Sequence, residues 1–191
     1  MKSTITVPAI AFVGKQNSGK TTLLEKLIAE LTARGVRVGT VKHHSHVGFE
    51  FDVVGKDSWR HRQAGSRYTM VASPDQIASV QIVDPTIELS LEYILERMTA
   101  GLDESLGTMI DCILTEGYRQ SGLPTIELFR ADNPKDANRP LGGEGNHIIA
   151  VVTDIPRIVE EASVFDGGVP VFGFEDIALL ADFVQATLNQ F

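Results

Sequence analysis

The run Gly14-Lys15-Gln16-Asn17-Ser18-Gly19-Lys20-Thr21 satisfies G-x-x-x-x-G-K-[ST] at every specified position. Its chemistry is polyphosphate binding. Glycines open backbone conformations closed to other residues, so consecutive N–H groups turn inward and cradle phosphate oxygens at the positive end of a following helix. In such a loop Gly14, Lys15, Asn17, Ser18, Gly19 and Thr22 form the cradle, Lys20 reaches the β and γ phosphates as the catalytic cation, and the Thr21 hydroxyl ligates Mg2+. The ion also needs a carboxylate at the end of a neighbouring strand. Glu116 follows the apolar Cys112-Ile113-Leu114 and precedes Gly117, which puts it at a strand's carboxyl end, where ligands sit in open α/β sheets. It is the magnesium-side acid, or else it caps a turn. Asp111 lies five residues earlier on the opposite side of an unbent strand and reads as a structural or secondary acid.

Lys42, Lys56, Arg60, Arg62 and Arg67, with four of the five histidines, concentrate between residues 42 and 67. They form either a local anion site in which arginine forks match phosphate oxygens, or a solvated basic face. Asp52 and Asp57 are candidate acids for positioning an attacking water, and Asp52 also for reaching magnesium through solvent. His43, His44 and His46 read as polar loop histidines, because a metal cluster would need a partner set and spacing that they lack. Asp154 closes Val152-Thr153-Asp154; it either reads a nucleobase or caps a helix beginning around Pro156.

The elements that must position these residues follow from hydrophobic period. Thr4 to Val13 is an apolar run suited to a strand buried on both faces, and Leu23, Leu24, Leu27, Ile28 and Leu31 mark a helix ending at Gly35. Val36 to Val41 completes a βαβ unit. Lys42 to Gly65 reads mainly as a long functional loop, and Tyr68 to Ala72 and Ile77 to Val83 as two strands joined by a tight turn at Ser73-Pro74-Asp75. Ile87, Leu91, Leu95 and Met98 predict a helix, Thr108 to Thr115 a buried strand, and Thr125 to Phe129 a half-exposed one. Arg130 to Asn146, rich in Asp, Asn, Pro and Gly, reads as a mobile loop. His147 to Val152 and Val169 to Phe172 are further strands, and Ile177, Leu180, Val184 and Leu188 predict a terminal helix. The expected fold is α/β: a P-loop NTPase-like three-layer sandwich with a mostly parallel sheet and a small antiparallel strand pair, in one nucleotide-binding domain over residues 1–191.

Composition sets the outer limits. With 17 Lys+Arg against 25 Asp+Glu, the net charge of −8 argues against general nucleic-acid coating. One cysteine, Cys112, excludes an intramolecular disulfide and a Cys-based zinc cluster. No stretch reaches the roughly 18 apolar residues of a membrane span. The triplet Ala9-Ile10-Ala11 lacks the apolar region that precedes a signal cleavage site, so a mature cytoplasmic chain is expected.

Taken together, Gly14-Lys15 with Gly19-Lys20-Thr21, Val41-Lys42-His43, Gly55-Lys56-Asp57-Ser58 with Ala64-Gly65, Thr115-Glu116-Gly117-Tyr118 and Leu128-Phe129-Arg130 resemble the MobB family of molybdopterin-guanine dinucleotide biosynthesis proteins. The P-loop alone is widely shared; the Gly-Lys-Asp-Ser and Glu-Gly-Tyr-Arg segments narrow it. Lys15 directly after the first glycine also resembles the deviant P-loop of SIMIBI-class nucleotide hydrolases, in which that lysine often acts across a dimer interface. The resemblance implies a GTP- and Mg2+-binding, weakly hydrolysing homodimer that assists a guanylyltransferase, MobA, in attaching GMP to molybdenum cofactor, with the loop around Lys56 facing the ligand and molybdopterin a further ligand to consider. One departure stands out: the Asn-Lys-x-Asp segment common in guanine-selective P-loop proteins is absent. Two other readings use the same residues, a P-loop small-molecule kinase and a non-hydrolysing nucleotide-binding module.

Overall fold

The computed structural model describes residues 7–44, 48–143 and 145–191. Contacts divide the chain into two compact units, residues 1–43 with 91–191, and residues 44–90.

The larger unit is built on β1 (Ala9–Val13), β2 (Val38–Lys42), β5 (Cys112–Glu116), β6 (Pro124–Phe129), β7 (His147–Thr153) and β8 (Val171–Phe172). They form one sheet in the order β2-β5-β1-β6-β7-β8, and every pairing in it is parallel. Parallel strands need crossover helices, and these cover both faces. Ala150 and Val152 of β7 point into a cluster with Leu23, Leu27 and Leu31 of α1 (Lys20–Ala33) and with Leu180 and Val184 of α5 (Ile177–Leu188). Val151, between them in sequence, points to the opposite face, where Phe129, Ile148, Ile158 and Ala162 form a second cluster under α4 (Pro156–Val164). The expected three layers are therefore present. Each fully buried leucine of the α1 stripe contributes about 2 kcal/mol of transfer free energy.

Element boundaries depart from the sequence expectation at places with identifiable causes. Strand β5 starts at Cys112 because residues 103–108 close on themselves first: the Thr108 hydroxyl accepts from the Asp103 N–H. Helix α3 spans Leu91–Ala100 and leaves Ile87 outside, in a turn where Thr86 donates to Asp84. Strand β6 is not half-exposed; it lies between β1 and β7 and is buried from Thr125 onward. Its alternating polar residues are satisfied internally, Thr125 by the Leu123 carbonyl and Glu127 by Arg139 and the Gly142 N–H. Residues 130–143 are likewise no loose connection, because Asn133, Asp136 and Leu141 are buried; Glu144, in the same expected mobile loop, lies outside the described residues.

The smaller unit contains α2 (Asp57–Gln63) and an antiparallel hairpin of β3 (Tyr68–Ala72) and β4 (Ile77–Gln81). The hairpin matches expectation. Residues 43–44 and 48–56 carry no helix or strand, in line with the reading of this stretch as mainly loop, and the short α2 ends it: Asp57 in its first turn and Arg60 and Arg62 in its last complement the helix dipole.

Candidate functional site

The loop between β1 and α1 has the geometry its sequence demands. Asn17 and Gly19 both adopt left-handed backbone, at φ 70° and 83°, and Gly19 caps α1 without a side-chain hydrogen bond, which leaves the first-turn N–H groups open to a ligand. Gly14 passes so close to β6 that a Cβ there would stand 2.9 Å from the Leu128 carbonyl oxygen. Lys20 folds back over the loop, donating to the carbonyls of Gly14 at 3.0 Å and Lys15 at 2.7 Å. Burial lowers its pKa below the ordinary lysine value, with Glu116 opposing that shift and Arg119 adding to it.

Thr21 and Glu116 meet as expected. The Thr21 hydroxyl donates to the Glu116 carboxylate at 3.0 and 3.2 Å, which joins the first turn of α1 to the carboxyl end of β5. The Lys42 ammonium stands 3.1 Å from the same carboxylate and 3.4 Å from the Thr21 oxygen. A hydroxyl and a carboxylate already sharing one cation are a donor set that fits Mg2+. Glu116 is thus more than a turn cap. Asp111 is the structural acid: it accepts from the Arg37 backbone N–H at 2.8 Å and the Arg37 guanidinium at 3.0 Å, and these bonds pull its pKa down.

Ser18, expected to bind phosphate, turns its hydroxyl inward, and its oxygen lies 2.8 Å from the Lys15 carbonyl and 2.9 Å from Asp136. Asp136 is fully buried and also receives the Arg130 N–H, the Asn133 amide and the Arg139 guanidinium. Burial alone would raise its pKa; the hydrogen bonds and the Arg139 charge outweigh it and hold the carboxyl below its usual value. Asn133 donates to the Gln16 carbonyl at 3.1 Å, and Arg139 bridges Asp136 to buried Glu127. Sequence reasoning missed this support. It also missed Arg119, whose guanidinium donates to the Gly14 carbonyl at 3.0 Å. The usable signal for Arg119 was its place in the Glu116-Gly117-Tyr118-Arg119 segment, where a glycine directly after the strand lets the chain turn back, with φ 99° at Gly117.

Asp154 lies just beyond β7, where its carboxylate accepts the Ala131 N–H at 2.6 Å. The capping alternative fails. Ile155 is the N-cap of α4, and its N–H is taken by Thr153.

Lys56, Asp52 and Asp57 belong to the smaller unit. Lys56 is the N-cap of α2; Asp52 accepts from the Val53 N–H at 2.8 Å and the Ser58 hydroxyl at 3.0 Å; Asp57 lies 3.7 Å from Arg60. Three of the five basic side chains have acidic partners: Arg62 with Glu50, Arg60 with Asp57 and Lys42 with Glu116. His46 lies outside the described residues, and among those described no three His, Cys, Asp or Glu side chains group as metal ligands. No described helix is long and apolar enough to cross a membrane.

Comparison with known proteins gives a consistent outcome. The chain is 35% identical to an Escherichia coli molybdopterin-guanine dinucleotide biosynthesis adapter protein, over 93% of this chain and 91% of that one. It is 32% identical to a Haemophilus influenzae protein of the same description, over 97% and 92%. Its fold is similar to a crystal structure of Bacillus subtilis MobB, with a TM-score of 0.68 at 25% identity over 94% of this chain and 96% of that one. A second solved molybdopterin-guanine biosynthesis protein B gives 0.66 at 26% identity, over 95% and 99%. Residues 9–154 match the family described as molybdopterin guanine dinucleotide synthesis protein B, and with the P-loop NTPase-like sheet around them they make this chain a member of the MobB family.

Proposed function

We propose that this protein is a GTP-binding, slowly hydrolysing adapter in the biosynthesis of molybdopterin guanine dinucleotide, acting as a homodimer beside a MobA-like guanylyltransferase. The observation that carries the nucleotide part is the joining of Thr21 to Glu116 next to a glycine loop closed by Lys20. The adapter part rests on the family and on the description shared by the bacterial relatives.

The loop amides of Gly14 to Thr22 would hold the phosphates, and Thr21 with Glu116 would hold magnesium. A bound Mg2+ neutralises phosphate charge and orients the terminal group. Lys20 trades the two loop carbonyls for phosphate oxygens, a charge-assisted exchange in a partly desolvated site. Arg119 and the Ser18–Asp136 pair hold the loop in shape, so that little ordering remains to be done on binding.

Calorimetry with GTP in the presence of Mg2+ or EDTA tests the reading. Lys20→Ala is expected to weaken triphosphate binding by about 2 kcal/mol, a factor of roughly 30. Unchanged affinity contradicts the assignment. Labelled γ-phosphate separates the outcomes: release into water supports slow hydrolysis, transfer to an added metabolite makes the protein a kinase, and Mg2+-dependent binding without turnover leaves a binding module.

A further inference from the structure

A cavity of about 100 Å³ opens beside the phosphate loop, lined by Gly19 and Thr22, by Lys26 further along α1, and by Arg130, Phe174 and Glu175. None of these last three was singled out as a ligand contact by sequence pattern. The Phe174 ring stands against the loop itself, since a Cβ on Gly19 would lie 3.2 Å from its edge. The Arg130 guanidinium covers the ring at 4.6 Å from its centre. Glu175 is held over the cavity by Lys26, whose ammonium reaches both carboxylate oxygens at 2.9 and 2.8 Å.

We propose that this cavity is the nucleobase subsite, that Phe174 and Arg130 form its stacking wall, and that Glu175 reads guanine. The inference rests on the proposed binding of a nucleoside triphosphate at residues 14–22 and adds the specificity-determining residues. A ligand whose phosphates lie in the loop and whose sugar leaves past Thr22 enters the cavity without crossing another element, because Gly19 and Thr22 are part of its wall. The wall offers a flat aromatic and a guanidinium plane, both of which stack on any base. Discrimination then falls to the carboxylate. A carboxylate only accepts, and has about four lone-pair positions, of which Lys26 uses two. Guanine presents two adjacent donors, its ring N1–H and its exocyclic amine, to a single carboxylate. Adenine presents a bare ring nitrogen at the same place and is repelled. The exposed Lys26–Glu175 pair is itself worth little to stability, so its function is to aim the acid and offset its charge near a triphosphate. Asp154, the other candidate base reader, already spends a carboxylate oxygen on the Ala131 N–H.

The test titrates the full chain with the Mg2+ complexes of GTP, ATP and inorganic tripolyphosphate. Glu175→Gln is expected to lower the GTP-to-ATP affinity ratio about tenfold, since a charged acceptor of two hydrogen bonds is lost. Phe174→Leu is expected to weaken GTP and ATP alike. Tripolyphosphate, which has no base, should bind all three proteins equally, and this also reports that the variants are folded. If tripolyphosphate binds and Glu175→Gln leaves the ratio unchanged, or if Asp154→Asn collapses it instead, the base assignment is overturned while the phosphate loop stands. If none of the three ligands binds the wild-type chain, the nucleotide reading itself is lost.

Discussion

Asp136 does for the loop what a glycine motif cannot do for itself. Ser18 sits inside the phosphate run, yet its hydroxyl is turned into the protein at 2.9 Å from this buried acid, and Asn133 and Arg139 converge on the same carboxylate. Arg139 keeps Glu127 as its partner when Asp136 is neutralised, so the loss is that of a buried charged acceptor of several hydrogen bonds, at a cost of about 3 kcal/mol. Asp136→Asn is therefore expected to destabilise the chain by roughly that amount at pH 7 in urea denaturation. The sign of the pH dependence follows from the direction of the shift. The folded pKa lies below the ordinary value, so the stabilisation is present above about pH 4 and is withdrawn as pH falls through the folded value. The gap between wild type and variant should narrow at acid pH; an equal gap at pH 7 and pH 3 would show that the carboxylate charge is not what Asp136 supplies.

Among elements, the junction of β1 with α1 shows how two glycines with similar backbone can have different consequences. Gly19 and Gly35 flank α1 with φ of 83° and 84°. A side chain at Gly35 meets nothing within 4 Å, whereas at Gly19 it meets Arg130 at 3.1 Å and Phe174 at 3.2 Å. Each substitution by alanine carries the left-handed penalty of about 1–2 kcal/mol. Thermal unfolding should register both, but only Gly19→Ala should also weaken tripolyphosphate binding. Equal ligand affinity in the two variants would mean that the left-handed cap is not part of the cradle. The turn after β5 follows a related logic: Glu116 is aimed at Thr21 by a chain that then passes through positive φ at Gly117, Tyr118 and Gln120, bringing Arg119 back to the loop. Strain of that kind persists where surrounding contacts fix it, and it is concentrated here at the site.

On the scale of the molecule, cooperativity is reported by one atom. Cys112 is the only cysteine, is wholly buried where β5 lies between β2 and β1, and has its thiol pKa pushed up to about 11 by burial. A thiol reagent should label it only through opening of the sheet, and Mg2+ with GTP should slow that labelling by stabilising the native state. Rapid labelling at pH 8 would contradict the packing. Because the folded pKa is raised, the contribution is complete below the unfolded value near 9 and is lost as pH climbs toward 11. Across that window wild type should lose of order 2 kcal/mol more than Cys112→Ala. Much of this molecule is written locally. The chemistry of Gly14 to Thr21, the periods of α1 and α5, the β3–β4 hairpin and the pairing of Thr21 with Glu116 depend on short-range pattern or on the single rule that parallel strands present their carboxyl ends together. Burial of Glu127 in β6, ordering of residues 130–143 around Asp136, and the place of Arg119, Arg130 and Phe174 at the loop were settled only by tertiary structure. Each requires partners far away in the chain, and a polar residue in a Pro- and Asp-rich segment looks the same in sequence whether it faces water or closes a buried network.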